Sequence, residues 1–255
     1  MDMQKKAALQ DLLLRLGDDE LIIGHRHSEW TGIGPVLEED IAFASLAQDE
    51  IGHAEAYCLI LHEELGLPDP DTLGFKRPAA EFRCAYLVEY PIKDYAFSLV
   101  RHFLYDLAEQ VRLKHLTRSS YKPLAELASR LLREEKYHLL HATTWIKELG
   151  NSTEDAQLRL QNALNEAFPM AFSLFETTPY SSILETEGIQ PLEETLLDEW
   201  LDQVHYWISQ TPLTLPESPD FTPYLGGRQG KHSPYLEPLL EEMTEVVRLD
   251  PEAQW

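Results

Sequence analysis

The pattern Glu-x-x-His occurs twice in this chain, at Glu50 and His53 and again at Glu135 and His138, and the two copies lie 85 residues apart. Each follows a lone carboxylate at nearly the same distance: Glu20 stands 30 residues before Glu50, and Asp106 stands 29 before Glu135. Residues three apart on a helix sit one turn apart on the same face, so each copy offers a carboxylate and an imidazole side by side. A repeat in this register predicts two similar helical hairpins that share one interior. Four carboxylates and two histidines from four helices are the ligand set of a dinuclear iron or manganese centre in a helical bundle.

The helix faces support that reading. The stripe Leu124, Leu127, Leu131, Glu135, His138, Ala142, Trp145 advances by three or four throughout, the spacing of one buried seam, and Glu135 and His138 are its only ionisable members. Matching stripes run through Leu13, Leu16, Glu20, Ile23, His27, Trp30 and through Phe43, Leu46, Glu50, His53, Tyr57, Ile60. A third runs through Tyr95, Leu99, Phe103, Asp106, then Glu109 or Gln110, then Leu113. Each candidate therefore interrupts an apolar face at mid-helix. Gathering four carboxylates in an interior costs several kcal/mol each, and two divalent cations would offset that charge. Asp106 and Glu109 are one turn apart and either can face the cluster; the 29-residue spacing favours Asp106, with Glu109 as a supporting or surface residue. His27, His102 and His141 lie near the seams, where satisfied core or edge histidines are the expected reading and support of the ligands the alternative.

Turn signals place the helices at about 4–30, 36–65, 92–117 and 123–149. The first pair is joined by Thr31-Gly32-Ile33-Gly34-Pro35 and the second by Arg118-Ser119-Ser120-Tyr121-Lys122-Pro123. Both turns are short, whereas residues 69–91 leave room to cross the bundle. One long crossover between two hairpins is the topology of ferritin-like folds, so the expected fold class is an all-α ferritin-like four-helix bundle with additional C-terminal helices. The chain is read as a single domain over 1–255, with the core bundle at about 4–150 and a helical extension at about 151–255. That extension holds helices at 152–175 and 191–209, a Pro/Gly-rich stretch at 212–234, and a last helix to about residue 247.

The charge of −23 repels nucleic acid and anionic membranes, so neither is expected as a partner. Any anion must then be held by a local basic cluster; Arg228, Lys231 and His232 are candidates for a phosphate group or an acidic partner, with a solvated loop the favoured reading. Cys58 and Cys84 are too few for a disulfide framework and too dispersed for a zinc site. With no secretory or membrane-spanning run, the expected setting is cytoplasmic.

The wider sequence resembles the phenylacetyl-CoA epoxidase family, the multicomponent monooxygenase of bacterial phenylacetate breakdown, and most of all its C, or structural, subunit. The tracts that carry the resemblance are Leu16-Gly17-Asp18, Glu29-Trp30, Leu37-Glu38-Glu39-Asp40, Leu87-Val88-Glu89, Tyr137-His138-Leu139, Glu187-Gly188-Ile189, the Gly226-Gly227 loop and Gln254-Trp255. The resemblance implies a heteromer with a homologous catalytic A subunit, a reductase and a small B subunit. Such a complex draws electrons from NADPH and inserts one atom of O2 into phenylacetyl-CoA to give the 1,2-epoxide. C subunits often have an incomplete metal set and are held to be scaffolds. Here Asp49-Glu50-Ile51-Gly52-His53, Arg118-Ser119-Ser120-Tyr121 and Glu134-Glu135 with His138 resemble the A-subunit tracts, and Glu20 and Asp106 fill the remaining positions. Two iron ions, or manganese in their place, are thus expected at Glu20, Glu50, His53, Asp106, Glu135 and His138. A non-catalytic scaffold with a vestigial site, and a stand-alone ferroxidase or peroxidase, are the competing readings.

Overall fold

Helices α1 (Met3–Ser28) and α2 (Leu37–Glu63) form the first hairpin. The computed structural model describes residues 2–250, so the Gln254-Trp255 tract lies outside the described residues. The turn between the two helices is tied by Asp40, whose Oδ2 accepts the backbone N–H of Gly32 at 2.7 Å and of Gly34 at 3.2 Å. Acidic Glu38, Glu39 and Asp40 occupy the first turn of α2, where the helix dipole favours negative charge. The helices approach closely at Gly24: a Cβ there would stand 3.1 Å from the Cβ of Glu50 and 3.2 Å from the carbonyl of Ala47.

The crossover is structured rather than a plain linker, with α3 (Pro70–Phe75), a single 3₁₀ turn at Ala79–Glu81 and α4 (Tyr86–Glu89). It is fastened by two neighbours of Glu20. Asp18 pairs with the guanidinium of Arg77 and accepts the Arg83 N–H at 2.7 Å, while Asp19 accepts the Ala85 N–H at 2.7 Å.

The second hairpin is α5 (Tyr95–Leu116) and α6 (Lys122–Gly150). α5 begins three residues later than the sequence suggests, because Lys93 takes a positive φ of 51° and Asp94 caps the helix by accepting the Phe97 N–H at 2.9 Å. α6 opens on Pro123, whose missing N–H costs nothing at a helix start.

The extension packs on α5. α7 (Glu154–Ala171) and α9 (Glu193–Ile208) lie against it, with the short α8 (Ser181–Thr186) between them in sequence and against α1. Trp200 is fully buried and donates its indole N–H to the Leu104 carbonyl at 3.0 Å. Glu193, at the start of α9, binds Arg15 of α1 and Arg112 of α5, each at 3.0 Å, with all three side chains buried. The expected last helix is interrupted at Thr244, giving α10 (Leu236–Met243) and α11 (Glu245–Leu249).

The loop that carries Arg228, Lys231 and His232 is not the solvated loop expected, although residues 214–225 before it are largely exposed. Arg228 is buried and reaches both oxygens of Asp19 at 2.8 and 2.7 Å, and His232 lies 2.6 Å from Glu89; only Lys231 of the trio is exposed. A Cβ on Gly227 would fall 2.2 Å from the Cys84 carbonyl and one on Gly230 2.3 Å from the Ala80 carbonyl, so glycine lets the loop lie flat on the crossover. Among the described residues there is no strand, and no helix is long and apolar enough to cross a membrane.

Candidate metal centre

All six expected ligands are buried, at 2% exposure or less, in the interior between the two hairpins. Two overlapping groups bring ligand atoms within 4.8 Å of one another: Glu20, Glu50 and His53 in one, Glu50, Glu135 and His138 in the other. Glu50 belongs to both, which places its carboxylate between the two imidazoles. The His53 and His138 rings stack with centroids 6.0 Å apart. Their Nδ1 atoms point inward. That of His53 is 3.7 Å from Glu20, 3.4 Å from Glu50 and 3.3 Å from Glu135, and that of His138 is 3.5 Å from Glu50 and 3.2 Å from Glu135.

The outer ring nitrogens are held in a crossed pattern. His53 Nε2 donates to Glu134 of α6 at 3.0 Å, and His138 Nε2 donates to Asp49 of α2 at 3.1 Å. Each acid directly precedes the glutamate of the opposite Glu-x-x-His. Fixing a proton on Nε2 makes the inward-facing Nδ1 the nitrogen that a metal would take in exchange for a proton, the arrangement that orients a metal-binding imidazole. Asp49 and Glu134 entered the sequence reading only as parts of family-like tracts, yet an acid before both glutamates was the visible signal.

Asp106 stands apart from the two groups. It is fully buried, with Oδ1 3.0 Å from His102 Nδ1, and its charge is felt by Glu135, His138 and Glu50. Glu109 is not a surface residue: it is 4% exposed, and Arg112 Nε is 3.9 Å away. Burial raises its pKa to about 8, Arg112 offsetting part of the effect and Glu135 adding to it.

His102 continues from Asp106 into a polar chain. Its Nε2 is 3.3 Å from His141 Nδ1, and His141 Nε2 donates to Glu39 at 2.8 Å. Glu39 also accepts the Trp145 indole N–H at 2.8 Å and the Tyr95 hydroxyl. His102 Nδ1 and both Asp106 oxygens make no hydrogen bond despite the 3.0 Å separation of Nδ1 from Oδ1, and His27 is buried with neither ring nitrogen hydrogen-bonded, against the expectation of a satisfied core histidine.

The electrostatics are those of a site short of positive charge. Burial, reinforced by Glu50, pushes the Glu20 carboxyl well above its usual range, and burial with Glu135 does the same to Asp106. Glu50 moves the other way: burial opposes its charge, but Glu20 and the two imidazoles more than compensate. Burial also works against protonating His53 and His138, yet the surrounding carboxylates hold both pKa values far above the ordinary histidine range.

The donor set fits divalent cations. Both oxygens of Glu50, Glu135 and Asp106, Glu20 Oε2, and Nδ1 of His53 and His138 are buried without a hydrogen-bond partner. Buried polar atoms are ordinarily paired, and this many inward-facing oxygen and imidazole donors suit iron or manganese. A groove of about 500 Å³ along the outer side of α2 and α6 is lined by residues such as Gly52, Glu55, Leu59, Glu126 and Arg130, and none of its lining residues is among the six.

The family model described as phenylacetic acid catabolic protein matches residues 1–255. The chain is 32% identical over 242 residues to the C subunit of 1,2-phenylacetyl-CoA epoxidase from Escherichia coli (strain K12), covering 95% of this chain and 97% of that protein. It is 25% identical over 207 residues to the A subunit of the same enzyme, covering 76% of this chain and 66% of that one.

Proposed function

Because this chain belongs to the phenylacetic acid catabolic protein family, we propose that it serves as the C-type subunit of a 1,2-phenylacetyl-CoA epoxidase and carries a dinuclear metal site of its own. The observation that supports this role is the end-to-end match with the C subunit, against a weaker and shorter match with the A subunit. In this reading the chain pairs with a homologous A-type subunit. A small B-type subunit, together with an NADPH-dependent reductase, completes the complex that acts on phenylacetyl-CoA. The need for reduced nicotinamide suits a cytoplasmic setting. Residues 1–255 act as a single unit in this reading, supported by the packing of α7 and α9 on α5.

Glu20, Glu50, His53, Asp106, Glu135 and His138 would hold two iron ions, with manganese the alternative. Held there in reduced form, the metals would supply electrons for activating dioxygen. The protein's part is positional. Glu50 spans both groups, and Asp49 and Glu134 fix the imidazole protons on the outer nitrogens. Phe43, Tyr57 and Phe103, buried on the ligand-bearing stripes of α2 and α5, would keep bulk water from the cluster.

The test is metal content and turnover together. Expressed alone in iron-supplemented medium, the wild-type chain should hold about two irons, and Glu135→Ala should hold few or none. In a complex reconstituted with the other subunits, Glu50→Ala and Glu135→Ala in this chain should lower epoxidation at least tenfold. Metal binding without any loss of turnover in the variants would assign this chain a holding role and leave the chemistry to its partner.

A further inference from the structure

A second cluster of metal-ligating side chains lies away from the carboxylate centre, where the Gly-rich loop lies on the crossover. Cys84, Glu89 and His232 bring Sγ, a carboxylate oxygen and Nδ1 within 4.8 Å of one another. Sγ is 3.6 Å from Glu89 Oε1 and 3.9 Å from His232 Nδ1, and Nδ1 is 2.6 Å from Oε1. We propose that Cys84, Glu89 and His232 form a binding site for a single zinc-class divalent ion that fastens the 226–233 loop to the crossover.

Three features point that way. The donors are a thiol, an imidazole and a carboxylate, the mixed soft and borderline set that selects zinc. The other ring nitrogen, Nε2, lies 3.2 Å from the Phe82 carbonyl, so it donates there and directs Nδ1 at the sulfur and the carboxylate. The second oxygen of Glu89 accepts the Ser233 N–H at 2.6 Å, which orients the first toward the same point. In a tetrahedral zinc site, ligand atoms from different residues stand roughly 3.3–3.7 Å apart. The two contacts to sulfur are close to that range, and the imidazole–carboxylate contact has to open by roughly 0.8 Å to reach it.

The charge balance is also suitable. Binding displaces the thiol proton and the proton held between His232 and Glu89. The ion then meets one thiolate, one carboxylate and one neutral imidazole, with no residual charge left in the interior. Without an ion the thiolate is disfavoured, because burial and the charge of Glu89 raise the Cys84 pKa well above its ordinary value.

Cobalt(II) is the probe of choice, since thiolate ligation gives a sulfur-to-metal charge-transfer band in the near ultraviolet that the all-oxygen-and-nitrogen carboxylate centre cannot give. The full-length protein, stripped by chelator and titrated with cobalt(II), should show this band, and in Glu135→Ala, whose carboxylate centre is disabled, the band should saturate at one equivalent per chain. Zinc should abolish it by displacement. The band should vanish in Cys84→Ser, survive in Cys58→Ser, and survive in Glu135→Ala, which separates this site from the carboxylate centre. Absence of a thiolate band in the folded wild type would overturn the proposal without any variant, as would a band that depends on Cys58.

Discussion

At the scale of single residues, the centre depends on side chains that would touch no metal themselves. Asp49 and Glu134 are about half exposed, yet each decides which nitrogen of a buried imidazole carries its proton. Glu134→Gln keeps a side-chain oxygen that can still accept from His53, but removes the charge that makes the ring a stronger donor to a metal. Asp49→Asn does the same for His138. Each substitution should weaken iron or cobalt binding about 10- to 100-fold with little change in fold stability, measured by titration of the chelated protein and by urea unfolding. Equal metal affinity in wild type and variants would show that ring orientation is set by packing alone. The sequence made the six interior residues legible because each interrupts an apolar stripe. Only the 29-residue spacing favoured Asp106 over Glu109; the helix pattern did not separate them, because α5 is buried on nearly every side and so lacks the polar face that would have marked one of them as outward.

At the scale of elements, the junction of α1, α5 and α9 rests on one carboxylate. Glu193 neutralises Arg15 and Arg112 where all three are withdrawn from water, and Gln190 Nε2 adds a bond at 2.9 Å. Burial opposes its charge, but the two guanidinium groups hold its pKa down at about 2, below the ordinary 4.5. A carboxyl with a depressed folded-state value stabilises the fold above the unfolded value and loses that contribution as pH falls from about 4.5 toward 2, a contribution on the order of 3 kcal/mol. Glu193→Gln removes the carboxylate that two buried guanidinium groups share, leaving Arg15 with Asp11 at 3.1 Å and Arg112 with Glu109 at 3.9 Å, and should cost roughly 3 kcal/mol at neutral pH. The gap between its urea midpoint and that of wild type should narrow between pH 4.5 and 3; a gap that stays constant would remove Glu193 from the account. This junction was hidden from sequence reasoning because its partners are some 80 and 180 residues away, and an acid in the first turn of a helix reads equally well as a solvated dipole partner.

At the scale of the whole molecule, the extension supplies half of the surroundings of α5. Phe168, Phe175 and Trp200 cluster against one another, and Arg112 reaches back to the Leu174 carbonyl at 2.9 Å. A chain ended at residue 151 would expose this side of α5 to water, and it should be recovered as aggregate or as a molten species that binds a hydrophobic dye. A soluble, cooperatively unfolding 1–151 fragment would instead make the bundle independent of the extension. The bundle was legible from helix lengths and turns, but the packing of the extension was not, since it rests on contacts between residues far apart in sequence. The crossed histidine bonds carry one more consequence. Neither hairpin owns a half-site, because each supplies the acid that steers the other's imidazole. Docking of the two hairpins is therefore the event that would create binding competence, and on the proposed reading metal uptake during refolding should serve as a clock for that docking. By the same reciprocity, two copies of one hairpin related by a twofold axis contain every group the pattern requires, which makes a short homodimeric peptide a natural starting point for rebuilding the centre.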